Sequence, residues 1–218
     1  MLRIVKTSDG SHTLFVPGMN EHYHSFHGAI QESEYIFIKC GYDFCRTVPL
    51  RIFEAGFGTG LNALLTCIKA TSGNRQVIYT AIESYPLPGS LVDVLNYKDF
   101  VGTEGRKLFE RLHSCKWDIA QEVNKNFTLH KIKGDLTVDD LSGSFDLIYF
   151  DAFGPDKQPE MWTENIFKKI SSVTAENGIL VTYSAKGTVQ RALRNNGFKV
   201  NLLPGPPGKR QIIRALKI

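Results

Sequence analysis

The sequence lacks any apolar run of membrane-spanning length. Its first eighteen residues, MLRIVKTSDGSHTLFVPG, contain neither a long apolar segment nor a small-residue cleavage site of the kind that ends a secretory signal. These absences argue against a membrane-embedded or exported protein. We therefore expect a cytoplasmic protein without a membrane partner.

Cysteine is scarce, and its spacing fits neither a metal site nor a disulfide framework. The four cysteines are Cys40, Cys45, Cys67 and Cys115, with no C-x-x-C pair and no histidine at metal-ligand spacing. In a cytoplasmic protein such cysteines are usually buried free thiols. We expect no bound metal.

The sequence also lacks internal repeats, low-complexity segments and linkers rich in Pro, Gly or Ser. Its 218 residues, 42% of them hydrophobic, are enough to bury a core as one compact unit. Near residue 50 the pattern changes from short strands and turns to alternating strands and helices. We predict a β-rich N-terminal extension, residues 1–49, packed on a main domain, residues 50–218.

Acidic residues are absent after Glu176, although the formal net charge of the whole chain is only +4. The basic residues of this last segment are Lys186, Arg191, Arg194, Lys199, Lys209, Arg210, Arg214 and Lys217. A one-sided excess of this kind fits either a polyanionic partner or a solvated basic face.

Strands alternate with helices from Leu50 onward. The predicted strands are LRIFEAG, QVIYTAIES, FTLHKIKGD, FDLIYFDAFG, GILVTYSA, KVNLLPG and RQIIRALK, and the predicted helical stretches are LNALLTCIKATSG, PLPGSLVDVLNY and TVQRALRNNG. Before them, EYIFIKC (Glu34 to Cys40) is predicted as a strand, with YDFCR as its hairpin partner. The alternation predicts an α/β fold, an open and mostly parallel sheet with helices on both faces. In such sheets ligands bind beyond the carboxyl ends of the strands.

The stretch FEAGFGTGLNALL places three glycines at every second position between a predicted strand and a predicted helix. Gly56, Gly58 and Gly60 let the backbone turn tightly and approach a ligand where a side chain would collide. The spacing fits a nucleotide-binding turn, but it also fits simple turn glycines or another cofactor class. The dinucleotide pattern G-x-G-x-x-G is missing, because position 61 is Leu61.

Three acids stand at the ends of successive predicted strands. Glu83 is placed to accept two hydrogen bonds from the hydroxyls of an adenosine ribose, and Asp135 stands where an adenine amine would lie. Asp151 ends a central strand and begins the stiff loop DAFGPDKQPEMWT, where a substrate amine or base would meet the cofactor. Each acid also has a structural interpretation, a helix cap for Glu83 and a turn for the other two.

Five stretches, GFGTGLNALL, AIESYPL, KGD, DAFGPDKQPEMWT and GPPGKRQIIRA, resemble the MnmC/MnmD tRNA methyltransferases. The N-terminal NEHYHSFHGAIQESEYIF resembles that family's opening segment, so the resemblance covers nearly the whole chain. The family completes 5-methylaminomethyl-2-thiouridine at the tRNA wobble position. Its bifunctional members carry a second, FAD-dependent oxidoreductase domain, whereas this chain resembles the stand-alone form. The resemblance implies a Rossmann-like methyltransferase fold that uses S-adenosylmethionine and not FAD.

The resemblance also implies roles for individual residues. It places Gly56, Gly58, Gly60 and Asn62 at the cofactor, Glu83 at the ribose, Asp135 at the adenine, and Asp151 at the methyl group and the incoming amine. The candidate contacts to substrate or tRNA are Phe153, Trp162, Ser184, Lys186, Lys209 and Arg210, with Tyr85 as a further stacking aromatic. Ala152 departs from the bifunctional members, which affects the shape of the loop. The implied partner is tRNA without an obligate protein partner, and a separate enzyme supplies the aminomethyl precursor.

Three other function classes stay open at the level of sequence. A polyamine aminopropyltransferase has a similar sheet and an aspartate beside an amine, but it uses decarboxylated S-adenosylmethionine and further acids for its polycation. A dinucleotide-binding redox domain shares the acid on the ribose but needs the full glycine spacing. A non-catalytic RNA-binding module does not need acids at three successive strand ends.

Overall fold

Three short antiparallel strands open the N-terminal segment in the computed structural model, which describes residues 2–218. They are β1 (Arg3–Lys6), β2 (His12–Val16) and β3 (Glu21–His22), hydrogen-bonded in the order β1-β2-β3. The predicted N-terminal β extension is therefore present. Its first residue lies outside the described residues, and the division of the chain into domains at residue 49 stays a prediction.

The main sheet has eight strands within the described residues. They are β4 (Leu50–Ala55), β5 (Val77–Glu83), β6 (Gln121–Asn124), β7 (Phe127–Lys133), β8 (Phe145–Phe150), β9 (Thr174–Thr182), β10 (Phe198–Pro204) and β11 (Gln211–Lys217). Their order is β10-β11-β9-β8-β4-β5-β7-β6, and the five strands from β9 to β7 are parallel. Strand β6 joins β7 antiparallel at one edge, β11 joins β9 antiparallel at the other, and β10 pairs antiparallel with β11. The predicted open, mostly parallel sheet is confirmed.

Helices connect these strands. The α-helices of residues 2–218 are α1 (Ala29–Ser33), α2 (Leu61–Ser72), α3 (Gly89–Val92), α4 (Gly102–Ser114), α5 (Glu164–Val173) and α6 (Gly187–Asn195), with short 3₁₀ turns at Tyr97–Asp99 and Pro159–Trp162. Helix α2 ends at Gly73, as predicted. Helix α4 has no counterpart among the predicted elements, because only Gly105, Phe109 and Leu112 form its buried face and the rest of it is polar or exposed.

The prediction of a strand at Glu34–Cys40 is wrong. This stretch belongs to a π-helical segment, Glu34–Tyr42, which continues directly from α1, and YDFCR forms its end and the following turn. Ile36, Phe37 and Ile38 are all buried, because the segment packs against β8, β9 and α2. A short apolar run fits a buried strand and a buried helix equally well. The segment is helical where it packs against the face of the sheet, a tertiary contact that the local sequence does not show.

Two layers of buried side chains enclose the sheet. One layer joins the N-terminal segment, α2 and α4 to one face and includes Leu14 and Ile36. The other joins α5 and α6 to the opposite face and includes Phe150, Phe167 and Leu193. The four cysteines are free and buried, as the sequence predicts. Among the helices of residues 2–218, none combines the length and the hydropathy that a membrane crossing requires.

The π-helical segment comes unusually close to the sheet at Gly41, which provides a test of this packing. A β-carbon on Gly41 would lie 3.1 Å from Cγ2 of Val181 and 3.3 Å from Cε1 of Tyr149. We expect Gly41→Val to lower the free energy of unfolding by about 1–3 kcal/mol, because it overpacks this contact. Urea unfolding measures the loss.

The matched control is Gly89→Val at the start of α3, where a β-carbon would have no heavy atom within 4 Å. It should change the free energy of unfolding by about 0.5 kcal/mol or less, as is usual for a surface substitution. A Gly41→Val protein as stable as the wild type would contradict the close packing of this segment on β8 and β9.

Candidate functional site

The glycine turn after β4 has a left-handed backbone at all three glycines. The φ angle is 92° at Gly56, 51° at Gly58 and 74° at Gly60, and Gly60 stands at the start of α2. Residues with a β-carbon adopt such angles only at a cost. At Gly58 a β-carbon would also lie 3.2 Å from Cδ1 of Tyr23. The turn therefore needs glycine both for its backbone conformation and for the space around it.

Thr59 fixes this turn to two distant parts of the chain. Its Oγ1 lies 2.7 Å from Nε2 of His24 and accepts a hydrogen bond from the Tyr97 hydroxyl at 3.3 Å. Its carbonyl accepts a hydrogen bond from Nε2 of His113 in α4 at 3.1 Å. The Thr59 hydroxyl thus bridges Tyr97 and His24, both of which are buried. Burial lowers the pKa of His24 and the pKa of His113 to about 4, so both imidazoles are neutral at neutral pH.

A cavity of about 400 Å³ lies at the carboxyl ends of β4, β5 and β8. It is lined by residues 56–59 of the glycine turn, residues 82–85 after β5 and residues 151–154 after β8. Residues 21–26 of the N-terminal segment line it as well. This is the place where open α/β sheets bind their ligands, because the strand order reverses here: the chain runs from β4 to β5 and β7 on one side and then crosses to β8 on the other side of β4.

Glu83 ends β5 with its carboxylate against the glycine turn. Its Oε2 accepts the backbone N–H of Gly58 and its Oε1 accepts the backbone N–H of Tyr85, both at 2.9 Å. The two backbone donors fix the orientation of the carboxylate, and each oxygen keeps a lone pair for a further donor. A fixed carboxylate that lines the cavity is suited to bind two neighbouring hydroxyl groups.

Asn62, in the first turn of α2, links two carboxyl groups. Its Nδ2 donates to Oε1 of Glu54 at 2.9 Å and to Oδ2 of Asp151 at 2.8 Å. Glu54 is 1% exposed and Asn62 is 3% exposed, whereas Asp151 is half-buried and lines the cavity. Oδ1 of Asp151 has no hydrogen-bond donor within residues 2–218 and is available to a ligand.

The environment of Asp151 favours its protonated form. Burial raises the pKa of Asp151 to about 8, and the negative charge of Glu32 adds to the rise. The hydrogen bond from Asn62 and the charge of Lys209 act in the opposite direction. A carboxyl group with this pKa exchanges its proton near neutral pH, which suits an acid or base in a reaction.

Lys209 reaches the same cavity from the loop between β10 and β11. Its Nζ lies 3.1 Å from Oε1 of Glu32 and 4.6 Å from the centre of the Tyr183 ring. Oε2 of Glu32 accepts the backbone N–H of Ser25 at 2.8 Å. The ion pair therefore joins the N-terminal segment to the β10–β11 loop beside Asp151.

The structure brings only part of the predicted site together. Of the predicted residues, the cavity is lined by Gly56, Gly58, Asn62, Glu83, Asp151, Phe153 and Lys209. It is not lined by Gly60, Asp135, Trp162, Ser184, Lys186 and Arg210. The predicted stacking residue Tyr85 lies at its mouth and is 80% exposed.

The residues outside the lining have other surroundings. Asp135 accepts hydrogen bonds from the N–H and the hydroxyl of Thr137, although its neighbours 134 and 136 line the cavity. The buried Trp162 donates its indole N–H to the carbonyl of Phe153 at 2.7 Å and so supports the loop after β8. Ser184 is buried and Arg210 is exposed. The exposed Lys186 forms an ion pair with Asp156. The roles predicted for these residues stay predictions.

Sequence reasoning missed the contribution of Tyr23, His24, Glu32 and Tyr183 to the cavity. The first three fall in NEHYHSFHGAIQESEYIF, which concentrates histidine, tyrosine and glutamate in a segment predicted only as an extension. That concentration of functional side chains was the available signal. Tyr183 follows β9 and donates its hydroxyl to the carbonyl of Ala152 at 2.8 Å, a contact that no local pattern indicates.

The charge of the cavity favours a cationic ligand. Four acids line it, Glu21, Glu32, Glu83 and Asp151. Among the described residues, Lys209 is the one lysine or arginine that lines it. In the described part of the chain, no group of three or more His, Cys, Asp or Glu side chains could hold a metal ion. The site can therefore bind a positively charged molecule that carries a diol, beside a carboxyl group able to exchange a proton.

Comparison with known proteins gives a family for this arrangement. Residues 106–218 match a family model described as S-adenosyl-L-methionine-dependent methyltransferase. A protein of Campylobacter hominis is 29% identical over 206 residues, which cover 93% of this chain and 31% of that protein. One of Campylobacter fetus is 32% identical over 171 residues, 75% of this chain and 28% of that protein. Both are named tRNA 5-methylaminomethyl-2-thiouridine biosynthesis bifunctional protein MnmC, and this chain spans less than a third of their length.

Solved structures agree with the predicted fold. The crystal structure of MnmC2 from Aquifex aeolicus matches with a TM-score of 0.81 and 27% identity, over all of this chain and 70% of that one. Spermidine synthase from Thermotoga maritima matches with a TM-score of 0.61 and 14% identity, over 99% of this chain and 68% of that one, which shows a shared fold alone. The Rossmann-like methyltransferase fold is confirmed.

The buried histidine at the glycine turn predicts how stability depends on pH. The pKa of His24 is about 4 in the folded protein and near 6.5 when unfolded, so above pH 6.5 both states are neutral there. Between pH 6.5 and 4 only the unfolded state takes up the proton, and stability falls as the pH falls. We expect His24→Gln to remove about 2–3 kcal/mol of this acid-induced loss.

Urea unfolding at pH 7.5, 6 and 4.5 measures this effect. His113 has a similar pKa, so the acid-induced loss should shrink in His24→Gln without vanishing. The pH 7.5 measurement is the control, since there the variant differs only by its lost contacts. An acid-induced loss equal to that of the wild type would show that His24 is not buried in its neutral form.

Proposed function

Because this chain belongs to the S-adenosyl-L-methionine-dependent methyltransferase family, we propose that it methylates the 5-aminomethyl group of a wobble uridine or 2-thiouridine in tRNA. The product would be 5-methylaminomethyl-2-thiouridine when the base carries the 2-thio group. The names of the relatives from two Campylobacter species and the likeness to MnmC2 support this substrate. The observation that carries the proposal is the position of Asp151.

The cavity fits the cofactor. Gly58 lines the cavity without a side chain, and the fixed carboxylate of Glu83, which lines it too, would bind the two ribose hydroxyls. S-adenosylmethionine carries a positive sulfonium, which agrees with the acids of the lining. When bound, it supplies a methyl group that a neutral amine can take by in-line displacement.

Asp151 is placed to prepare that amine. An aminomethyl group is largely protonated at neutral pH, and only its neutral form has a lone pair. Oδ1 of Asp151 is free to accept a hydrogen bond from the ammonium group, while Asn62 holds Oδ2. A nearby carboxylate of ordinary pKa would favour the charged amine and oppose the reaction. Because the pKa of Asp151 is raised to about 8, the carboxylate can instead take the proton.

The proposed proton transfer joins the amine nitrogen of the substrate and Oδ1 of Asp151. One N–H bond of the ammonium breaks and its proton moves to Oδ1 of Asp151. The freed lone pair would then be available to take the methyl group that bound S-adenosylmethionine would supply. Asp151 would thus position the amine and accept its proton, and the residues that line the cavity would supply orientation.

The basic C-terminal segment is a candidate tRNA contact. Arg191, Arg194 and Arg210 are exposed, and Lys186 is exposed beside Asp156. Phosphate contacts of this kind dominate RNA binding and make it depend on salt. Tyr85, at the cavity mouth, is placed to stack on an extruded base, as enzymes that modify a base require.

The proposal includes the setting of the reaction. Methylation of tRNA would take place in the cytoplasm, and the aminomethyl precursor would come from a separate reaction that removes a carboxymethyl group. We propose no obligate protein partner for the methyl transfer itself, since one described chain supplies both the cofactor-binding turn and the amine-binding acid.

The proposed function is tested with S-adenosylmethionine labelled in its methyl group and tRNA from cells that lack this methylation. We expect one methyl to appear on a single wobble nucleoside, identified by digestion and mass spectrometry. Fully modified tRNA is the control and should accept none. Aminopropyl transfer from decarboxylated S-adenosylmethionine to a free diamine, with no label in tRNA, would support an aminopropyltransferase instead.

Asp151→Asn tests the role of the carboxyl group. We expect kcat to fall about 10²- to 10⁴-fold, because an amide cannot accept the proton, while the affinity for S-adenosylmethionine stays within about threefold. The wild-type kcat/KM should fall as the pH falls through about 8, where Asp151 takes up a proton, and the variant should lose this ionisation.

Asp156→Asn is the matched control, because Asp156 follows on the same loop but pairs with Lys186 at the surface. It should change kcat less than about twofold. Unchanged turnover in Asp151→Asn would contradict the assignment.

A further inference from the structure

Glu54 is a buried acid that the proposed reaction does not yet use. It lies in β4, one residue from the end of the strand, and is 1% exposed. Its Oε1 accepts a hydrogen bond from Asn62, whereas its Oε2 has no well-formed hydrogen bond within residues 2–218, although the buried hydroxyl of Tyr79 lies beside the carboxyl group. The Lys and Arg side chains of the described chain make no ion pair with it. An acid in such a place needs an explanation, because burying a carboxyl group is costly.

The explanation lies in the hydrogen bonds of Asn62. Both donated hydrogen bonds of its Nδ2 go to carboxyl oxygens, one on Glu54 at 2.9 Å and one on Asp151 at 2.8 Å. Two acceptors on either side of one NH₂ group fix the plane of the amide and decide which of its ends faces Asp151. Without Glu54, the amide could rotate and present its oxygen, which would repel the Asp151 carboxylate instead of binding it.

Glu54 and Asp151 have different surroundings, which affect their pKa values differently. Burial raises the pKa of Glu54 well above its usual value, and the nearby Asp151 and Glu83 add to the rise. Tyr79 lies beside Glu54 and is itself buried and neutral. Asp151, by contrast, faces Lys209 as well as Glu32. Burial therefore favours the neutral form of Glu54, whereas Asp151 lines the cavity and is the member of the pair that a ligand can reach.

We propose that Glu54 is a positioning residue that acts on Asp151 through Asn62. Glu54 holds the amide, the amide holds Oδ2 of Asp151, and Oδ1 is thereby aimed into the cavity at the amine. This inference rests on the proposed function for its kinetic consequence, but the positioning itself is a property of the free protein. A displacement of the accepting oxygen by about 1 Å is enough to lower the rate of the chemical step about 10²-fold.

A double-mutant cycle in kcat tests the proposal. Glu54→Ala and Asn62→Ala should each lower kcat about 10- to 100-fold, with the affinity for S-adenosylhomocysteine changed less than about threefold. If Glu54 acts only through Asn62, the double variant should be no slower than Asn62→Ala alone. Glu54→Gln keeps an oxygen that accepts from Asn62, so it should recover most of the rate lost in Glu54→Ala. Independent losses that multiply in the double variant would overturn the proposal.

Lost stability is separated from lost positioning by a control in the other layer of the core. Ile170→Ala removes a fully buried side chain of α5 and should lower the unfolding temperature without lowering kcat measured well below that temperature. If Ile170→Ala and Glu54→Ala lowered kcat equally at equal loss of stability, Glu54 would have a structural role only.

A measurement on the free protein keeps this inference separate from the proposed function. The pKa of Asp151 can be followed by NMR titration of its ¹³C-labelled carboxyl group in the wild type and the variants. Glu54→Ala and Asn62→Ala should raise it by the same amount, because both remove the donated hydrogen bond, whereas Glu54→Gln should leave it unchanged. A shift in Asn62→Ala alone would overturn the positioning role. Absence of methyl transfer to tRNA by the wild type would overturn the proposed function and leave this titration valid.

Discussion

The close approach of the ends of β4 and β8 is the constraint on which the site depends. The backbone N–H of Asp151 donates to the carbonyl of Ala55 at 3.3 Å, and a β-carbon on Gly56 would lie 3.5 Å from the Asp151 carbonyl. The parallel register pairs Glu54 with Tyr149 at the same level. This pairing places the glycine turn, Glu54 and Asp151 around the first turn of α2. Asn62 can link the two acids only because both strands end there.

The sequence was sufficient to predict the sheet and the edge at which the site lies. Strands such as Val77–Glu83 and Phe145–Phe150 are apolar enough to be recognised, and their carboxyl ends must share one edge. Glu83 and Asp151 were therefore found from position alone. Local patterns did not resolve Glu34–Tyr42, because a run of consecutive apolar residues has the same appearance in a buried helix and in a buried strand.

The rest of the site depends on tertiary contacts that a linear pattern does not contain. His24 reaches Thr59, 35 positions further along, and Glu32 reaches Lys209 across most of the chain length. Lys209 was predicted as a contact to substrate or tRNA from the basic C-terminal segment and the family resemblance, and it lies in the cavity lining over Tyr183. Trp162 was predicted as a substrate contact because it is a large aromatic residue. Its indole N–H instead donates a hydrogen bond to the carbonyl of Phe153, a contact that residue type does not predict.

The ion pair between Glu32 and Lys209 joins two segments that a ribosome makes at widely separated times. Residues 21–26 are held beside the cavity partly by Glu32, which accepts the Ser25 N–H, and Lys209 arrives only with the β10–β11 loop. During synthesis the glycine turn, Glu83 and Asp151 therefore exist before the enclosure around them is complete. The cavity is complete only after the β10–β11 loop has been made and has packed beside Glu32, so ligand retention would depend on that late loop.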